Sequence, residues 1–245
     1  MKPDRSVRSP DSHAVFPTTV WTLIREAQAA SEQHRRELLC QLAARYWNPL
    51  YAYFRAKGQT RQDSQDLVQG LLWHLVSGDR LMQIPPRAKF RSWLMTCARN
   101  FLSDETRRAK AGRRHPPGGV RSLDQLVGVD ARGFEPPSGD DPEQAYRDGW
   151  RRTVLGQALQ SARDTCCQKG RGKDYDIFLA YYAPDDDGQP TWDRIAQQFG
   201  VENAKSAARL ADWVKAQLAR AIRAQVRQYV DSEADVDDEI RQLLG

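Results

Sequence analysis

The chain has 245 residues, with 37 Lys and Arg against 32 Asp and Glu for a formal net charge of +5, a pI near 9.1 and a mean hydropathy of −0.72. That length suits one large domain or two small ones, and apolar residues recur too regularly for a wholly disordered chain. The longest apolar runs, such as FLAYYA at 178–183, fall far short of a bilayer span, and the start lacks an apolar signal region, so a soluble cytoplasmic protein without membrane insertion is expected.

In chain order, residues 1–15 read as a disordered extension and 16–111 as a first helical domain. From 18 to 110 apolar positions recur at helical spacing, broken only around Gly58, Ser77, Gly78, Pro85 and Pro86, and no period-two strand pattern occurs. Within this stretch Leu67, Val68, Leu71, Leu72, Leu75 and Val76 form one stripe, leaving Asp66, Gln69 and Trp73 on another. Residues 112–141 are rich in Pro and Gly and read as a linker of about thirty residues, longer than loops inside one domain. Such a linker lets two domains be spread apart, and also permits them to pack together in the free protein. Residues 142–230 read as a second helical domain. The tail at 231–245 carries six acidic residues between 231 and 239, followed by Ile240, Leu243 and Leu244, and reads as an amphipathic helix packed on its own domain or a site for a regulator. The expected class is all-α, two small helical domains on a flexible linker.

No phosphate-cradling Gly-rich loop, nucleophile elbow or paired metal histidines occur, so neither an enzyme nor a cofactor or metal site is expected. Cys40, Cys97, Cys166 and Cys167 are too few and too irregular for a disulfide scaffold. The acidic run at 185–187 lacks the remaining ligand positions of a calcium loop and reads as a solvated turn.

Charge distribution carries the functional signal. Between Arg87 and Arg114 nine Lys or Arg oppose only Asp104 and Glu105, interleaved with Phe90, Trp93 and Phe101. This is the composition of a surface that meets nucleic-acid phosphates, although basic helices are more often merely solvated. Farther on, Trp192, Ala196 and Gly200 have helix-turn-helix spacing, and the helix after them carries Lys205, Arg209, Lys215, Arg220, Arg223 and Arg227.

The motif DSQDLVQ at 63–69, then KFRSWLMTCARNFLSD at 89–104 with Arg107 and Arg108, and the carboxy-terminal helix-turn-helix together resemble the sigma-70 family of bacterial transcription initiation factors, in its small extracytoplasmic-function group. The resemblance covers about 18–110 and 142–230. It implies a second sigma domain that binds core RNA polymerase and the upstream promoter hexamer, and a fourth that binds the polymerase flap and the more distant hexamer, helping to open promoter DNA without catalysis of its own. Carried onto this chain, Asp63, Asp66, Leu67, Gln69 and Trp73 would meet the polymerase clamp coiled coil. Lys89, Arg91, Trp93, Arg99, Asn100, Arg107, Arg108 and Lys110 would touch DNA for hexamer reading and melting. In the helix-turn-helix, Lys205, Ser206 and Arg209 would face base edges, with Arg194, Lys215 and Arg220 on phosphates. An anti-sigma factor or other regulator is a further partner of this class.

Two departures stand out. Gly70 occupies a position where members usually carry an acidic residue, and the turn after Gly200 is a residue longer than usual, which leaves the register of the recognition helix open by about a residue. Two readings from other classes remain beside the resemblance: a free-standing helix-turn-helix regulator that binds duplex DNA without polymerase, and an interaction scaffold whose basic helices are simply solvated. The scaffold predicts no salt-dependent DNA affinity, and a free-standing regulator has no need of the Asp63 to Trp73 face.

Overall fold

A computed structural model describes residues 32–77, 90–111, 141–184, 188–228, 230 and 233–244. Among them are eight α-helices and no strand: α1 (Glu32–Ala56), α2 (Arg61–Ser77), α3 (Phe90–Lys110), α4 (Pro142–Gln168), α5 (Gly172–Tyr182), α6 (Trp192–Phe199), α7 (Ala204–Arg227) and α8 (Glu233–Leu244). The all-α class expected from periodicity is the class observed. Residues 1–15, Lys89 and nearly all of the 112–141 linker lie outside the described residues, as do positions 185–187.

The centre of the first apolar core is α1. From Tyr46 to Phe54 almost every side chain is buried, including Tyr46, Trp47, Leu50, Tyr51, Tyr53 and Phe54. A helix apolar all round must be covered on every side. The buried stripe of α2, Val68, Leu71, Leu72 and Leu75, takes one side. The start of α4 takes another, through Tyr146, Trp150 and Val154. Gly149 makes that crossing possible: a Cβ there would stand 2.9 Å from Pro49 Cα and 3.1 Å from Asn48 O, so the two helix backbones touch. A side chain ties the same seam, with Gln157 donating to Ala44 O (3.3 Å), and Arg45 donates to Gln228 Oε1 (2.6 Å) at the end of α7.

This contact decides how the interior divides. One apolar core joins α1, α2 and α3 to the first half of α4, the end of α7 and α8. A second gathers the end of α4 (Ala162, Cys166), α5, α6 and the first half of α7. The apolar interior therefore does not divide at 112–141, where the sequence suggests a boundary. It divides across α4 and α7, two long helices that each end in both cores. The acidic tail segment, expected to lie on its own domain, forms α8, which buries Val236 and Leu243 in the first core alongside helices from both sides of the linker.

Local signals place the helix ends. Asp141 caps α4 by accepting from Gln144 N (3.1 Å), with Pro142 in the first turn where its missing N–H costs nothing. In the adjacent pair at its far end, Cys166 is buried and Cys167 exposed.

Candidate nucleic-acid and partner interface

Three surfaces carry the residues that the sequence singles out. The first is on α2. Its start is fixed by a reciprocal pair: Asp63 N donates to Thr60 Oγ1 (3.1 Å), and that hydroxyl donates to Asp63 Oδ2 (2.6 Å). Asp63 and Asp66 are exposed, Gln69 is half-buried, and Trp73 is 38% exposed, one of the few large apolar side chains in the open. Leu67 leans the other way and packs on the first core. Four of the five residues thus line one stripe opposite the buried one, while Leu67 fixes its edge. Gly70 has a packing explanation: a Cβ there would lie 3.1 Å from Phe101 Cζ, so the glycine lets the Phe101 ring of α3 sit against α2. His74 meets the same ring at a centroid distance of 5.9 Å.

The second surface is on α3, which carries Arg91, Arg99, Arg107, Arg108 and Lys110 against Asp104 and Glu105. Arg99, Asn100, Arg107, Arg108 and Lys110 are exposed. Three of the arginines hold carboxylates: Arg99 pairs with Glu143, Arg107 with Asp104 at 3.0 Å and Arg108 with Glu105 at 2.6 Å. Such surface pairs contribute about 0–1 kcal/mol each, so they hold the guanidiniums only weakly. Trp93 packs on the first core beside Phe90, with ring centroids 5.6 Å apart, which leaves it half-buried rather than free to stack on a base. Arg91 is set apart from its neighbours. Its side chain is only 15% exposed, turned into α4 and α8 rather than out with the other cations.

The third surface is α6 and α7. Thr191 caps α6 through Arg194 N (3.3 Å), and Gly200 ends it with φ 58° and ψ 45°. Val201 N donates to Ala196 O (2.8 Å) and Gly200 N to Gln197 O (3.3 Å), the paired bonds of a Schellman motif whose left-handed residue favours glycine. Asn203 then caps α7 by accepting from Ser206 N (2.8 Å). Ala207, Ala211 and Val214 face the second core together with Ile195 and Ala196 of α6. That fixes the register left open by the long turn: Lys205, Arg209, Lys215 and Arg220 are exposed, Ser206 is half-buried, and Arg194 is exposed on α6. Lys215 Nζ lies 5.5 Å from the Tyr182 ring centre and Arg220 Nη1 donates to Gln217 Oε1 (3.2 Å). No acidic residue occupies the first turn of α7, and Lys205 does. A cation there opposes the helix dipole, while the Asn203 cap satisfies an N–H of the same turn.

Sequence reasoning missed a cleft between α3, α4 and α8. It has a volume of about 270 Å³ and is lined by Arg91, Gln144, Arg147, Trp150, Arg151 and Gln242. Arg147 and Arg151, one helical turn apart and flanking a tryptophan, were the available signal, but only the fold brings them to Arg91. Among the described residues no group of three or more His, Cys, Asp or Glu could hold a metal ion, and no helix is long and apolar enough to cross a membrane. No family model matches the chain, and neither curated proteins nor solved structures give a match.

Proposed function

We propose that the chain is a promoter-specificity factor of the sigma-70 type, in the extracytoplasmic-function group, which binds core RNA polymerase in the bacterial cytoplasm and directs initiation at two promoter hexamers. The observation that carries this reading is the α2 stripe of exposed Asp63, Asp66 and Trp73 with half-buried Gln69, in the same chain as a capped helix-turn-helix with a basic second helix. A regulator acting on duplex DNA alone needs only the latter. Two carboxylates, an amide and an indole suit a helical protein partner with basic and apolar side chains, which is what the clamp coiled coil would offer.

The DNA side follows from charge. Arg99, Asn100, Arg107, Arg108 and Lys110 would hold the upstream hexamer and the opened strand, and Lys205, Ser206 and Arg209 the more distant hexamer, with Arg194, Lys215 and Arg220 on phosphates. Unstacking a base costs a few kcal/mol and capture returns about 1–3 kcal/mol per base. A small helical protein therefore cannot open a bubble unaided, and the protein-binding face of α2 is what recruits the enzyme that shares the cost. The chain itself performs no catalysis in this reading.

The test is co-elution of the purified protein with bacterial core RNA polymerase on a sizing column, wild type against Asp66→Arg. Co-elution of the wild type and its loss in the variant is the expected result. A wild type that never co-elutes but binds duplex DNA with steep salt dependence would make the chain a free-standing helix-turn-helix regulator, the reading that the α6 and α7 geometry alone would favour. Failure of both would leave an interaction scaffold.

A further inference from the structure

The geometry points to a further DNA-phosphate site, formed by Arg91, Arg147 and Arg151 in the cleft between α3 and α4, which α8 occupies with its own carboxylate Glu239. This inference rests on the proposed DNA-binding function and adds residues that the resemblance did not supply.

The contacts are specific. Arg91 Nη2 donates to Gln242 Oε1 (3.1 Å) and lies 3.1 Å from Glu239 Oε2, whose side chain is 5% exposed. The Arg91 guanidinium lies 4.2 Å from the Trp150 ring centre, so the buried indole holds the fork in place. On the same wall Arg151 Nη2 donates to Gln242 O (3.4 Å) and reaches Asp148 at 3.8 Å, while Arg147 donates to Gln144 Oε1 (2.7 and 3.1 Å) and reaches Asp141 at 3.9 Å. Three guanidiniums thus line one cleft, of which Arg91 alone holds Glu239, and the carboxylates beside Arg147 and Arg151 hold at the long limit of an ion pair, where little binding is lost by exchange. An oxyanion held by arginines against a tryptophan is the place a phosphodiester would take.

The chemistry of α8 fits an occupant that can leave. It is acidic on one side, with Asp237 bound to Arg223 at 2.7 Å, and is held by Val236, Leu243 and Ile240 on the other. DNA phosphates compete directly for Arg91 and Arg223, and the attraction rises as salt falls. While α8 is seated, Arg91 stays out of reach of DNA although Arg99, Arg107, Arg108 and Lys110 of α3 are exposed, so the tail sets how much of this surface is available.

The test uses the full chain and a fluorescein-labelled 20-nucleotide DNA, single-stranded and as duplex, with affinity read against salt. Glu239→Gln keeps the shape of α8 and removes its anion; it is expected to tighten binding about three- to tenfold and to steepen the salt dependence by about one phosphate contact. Adding Arg147→Ala and Arg151→Ala should cancel that gain. A chain ending at Val230, its folding checked by melting, releases the helix fully and should gain more. Unchanged affinity and salt slope in Glu239→Gln, while wild type still binds DNA and Arg209→Glu weakens it, would overturn this inference and leave the proposed function standing. No DNA binding by wild type or variant would overturn both. Tighter binding that persists after Arg147→Ala and Arg151→Ala would also overturn the site, since the gain would then come from elsewhere.

Discussion

Gly149 illustrates how much a single missing side chain can decide. Nothing in its sequence neighbourhood distinguishes it from any helix glycine, and an alanine there would gain about 1 kcal/mol of helix propensity. In the fold its Cα lies against the backbone at Asn48 and Pro49, which cannot yield as a flexible side chain would. Gly149→Ala is therefore expected to be a net loss of about 1–2 kcal/mol from overpacking, read as a fall in Tm of about 2–4 °C per kcal/mol. A rise in Tm on scanning calorimetry would show that the two helices are not in such close contact. Gly70 is different, because its near neighbour is the far end of the Phe101 ring, which can shift by a few tenths of an ångström. Arg91 shows the limit of counting charges: it sits in a basic run, yet its guanidinium belongs to an ion pair with a residue nearly 150 positions away.

Among the helices, the α6–turn–α7 unit was the most legible. Gly200 and the capping residues Thr191 and Asn203 act within a few positions, so the local sequence is enough to stop one helix and start the next. Asn203→Ala should cost about 1 kcal/mol of stability by denaturant titration. On the proposed function it should also weaken duplex binding, because the first turn of α7 that it frays carries Lys205 and Ser206; Asn203→Asp, which caps equally well, should restore the stability. An alanine variant as stable as wild type would mean that the Asn203 side chain does not cap the helix. The register of α7 was legible only to about a residue, since the turn before it is long and the helix is rich in small apolar residues. It was decided by which of them meet Ile195 and Ala196 in the second core. The central position of α1 was equally hidden: periodicity identifies the helix but does not say how many neighbours surround it.

Taken as a whole, the molecule keeps titratable groups in both cores. Burial pushes the Tyr53 phenol above its ordinary value of 10.0, with the nearby Arg99 pulling the other way. In the second core burial likewise raises Tyr175, and it raises the Cys166 thiol above 9.0, helped by Asp174. Each group keeps its proton to higher pH when folded than when unfolded. Between the two values the unfolded chain therefore binds fewer protons, so the stability present below about pH 9 declines as pH rises through the folded values. Thermal melts between pH 7 and 11 should fall in Tm above pH 9, and a flat profile would mean that these groups are solvated. Because α4 and α7 run through both cores, the fall should be one cooperative transition.

The helical class, the two carboxylates and indole on one face of α2, the basic run and the helix-turn-helix were all readable from residue order, because periodicity, capping and charge act over a few positions along the chain. The shared core across the linker segment, the register of α7, the inward turn of Arg91 and the seat of α8 were not. Each depends on contacts between residues tens to hundreds of positions apart, and those contacts are set by which apolar faces cover one another once the chain has closed.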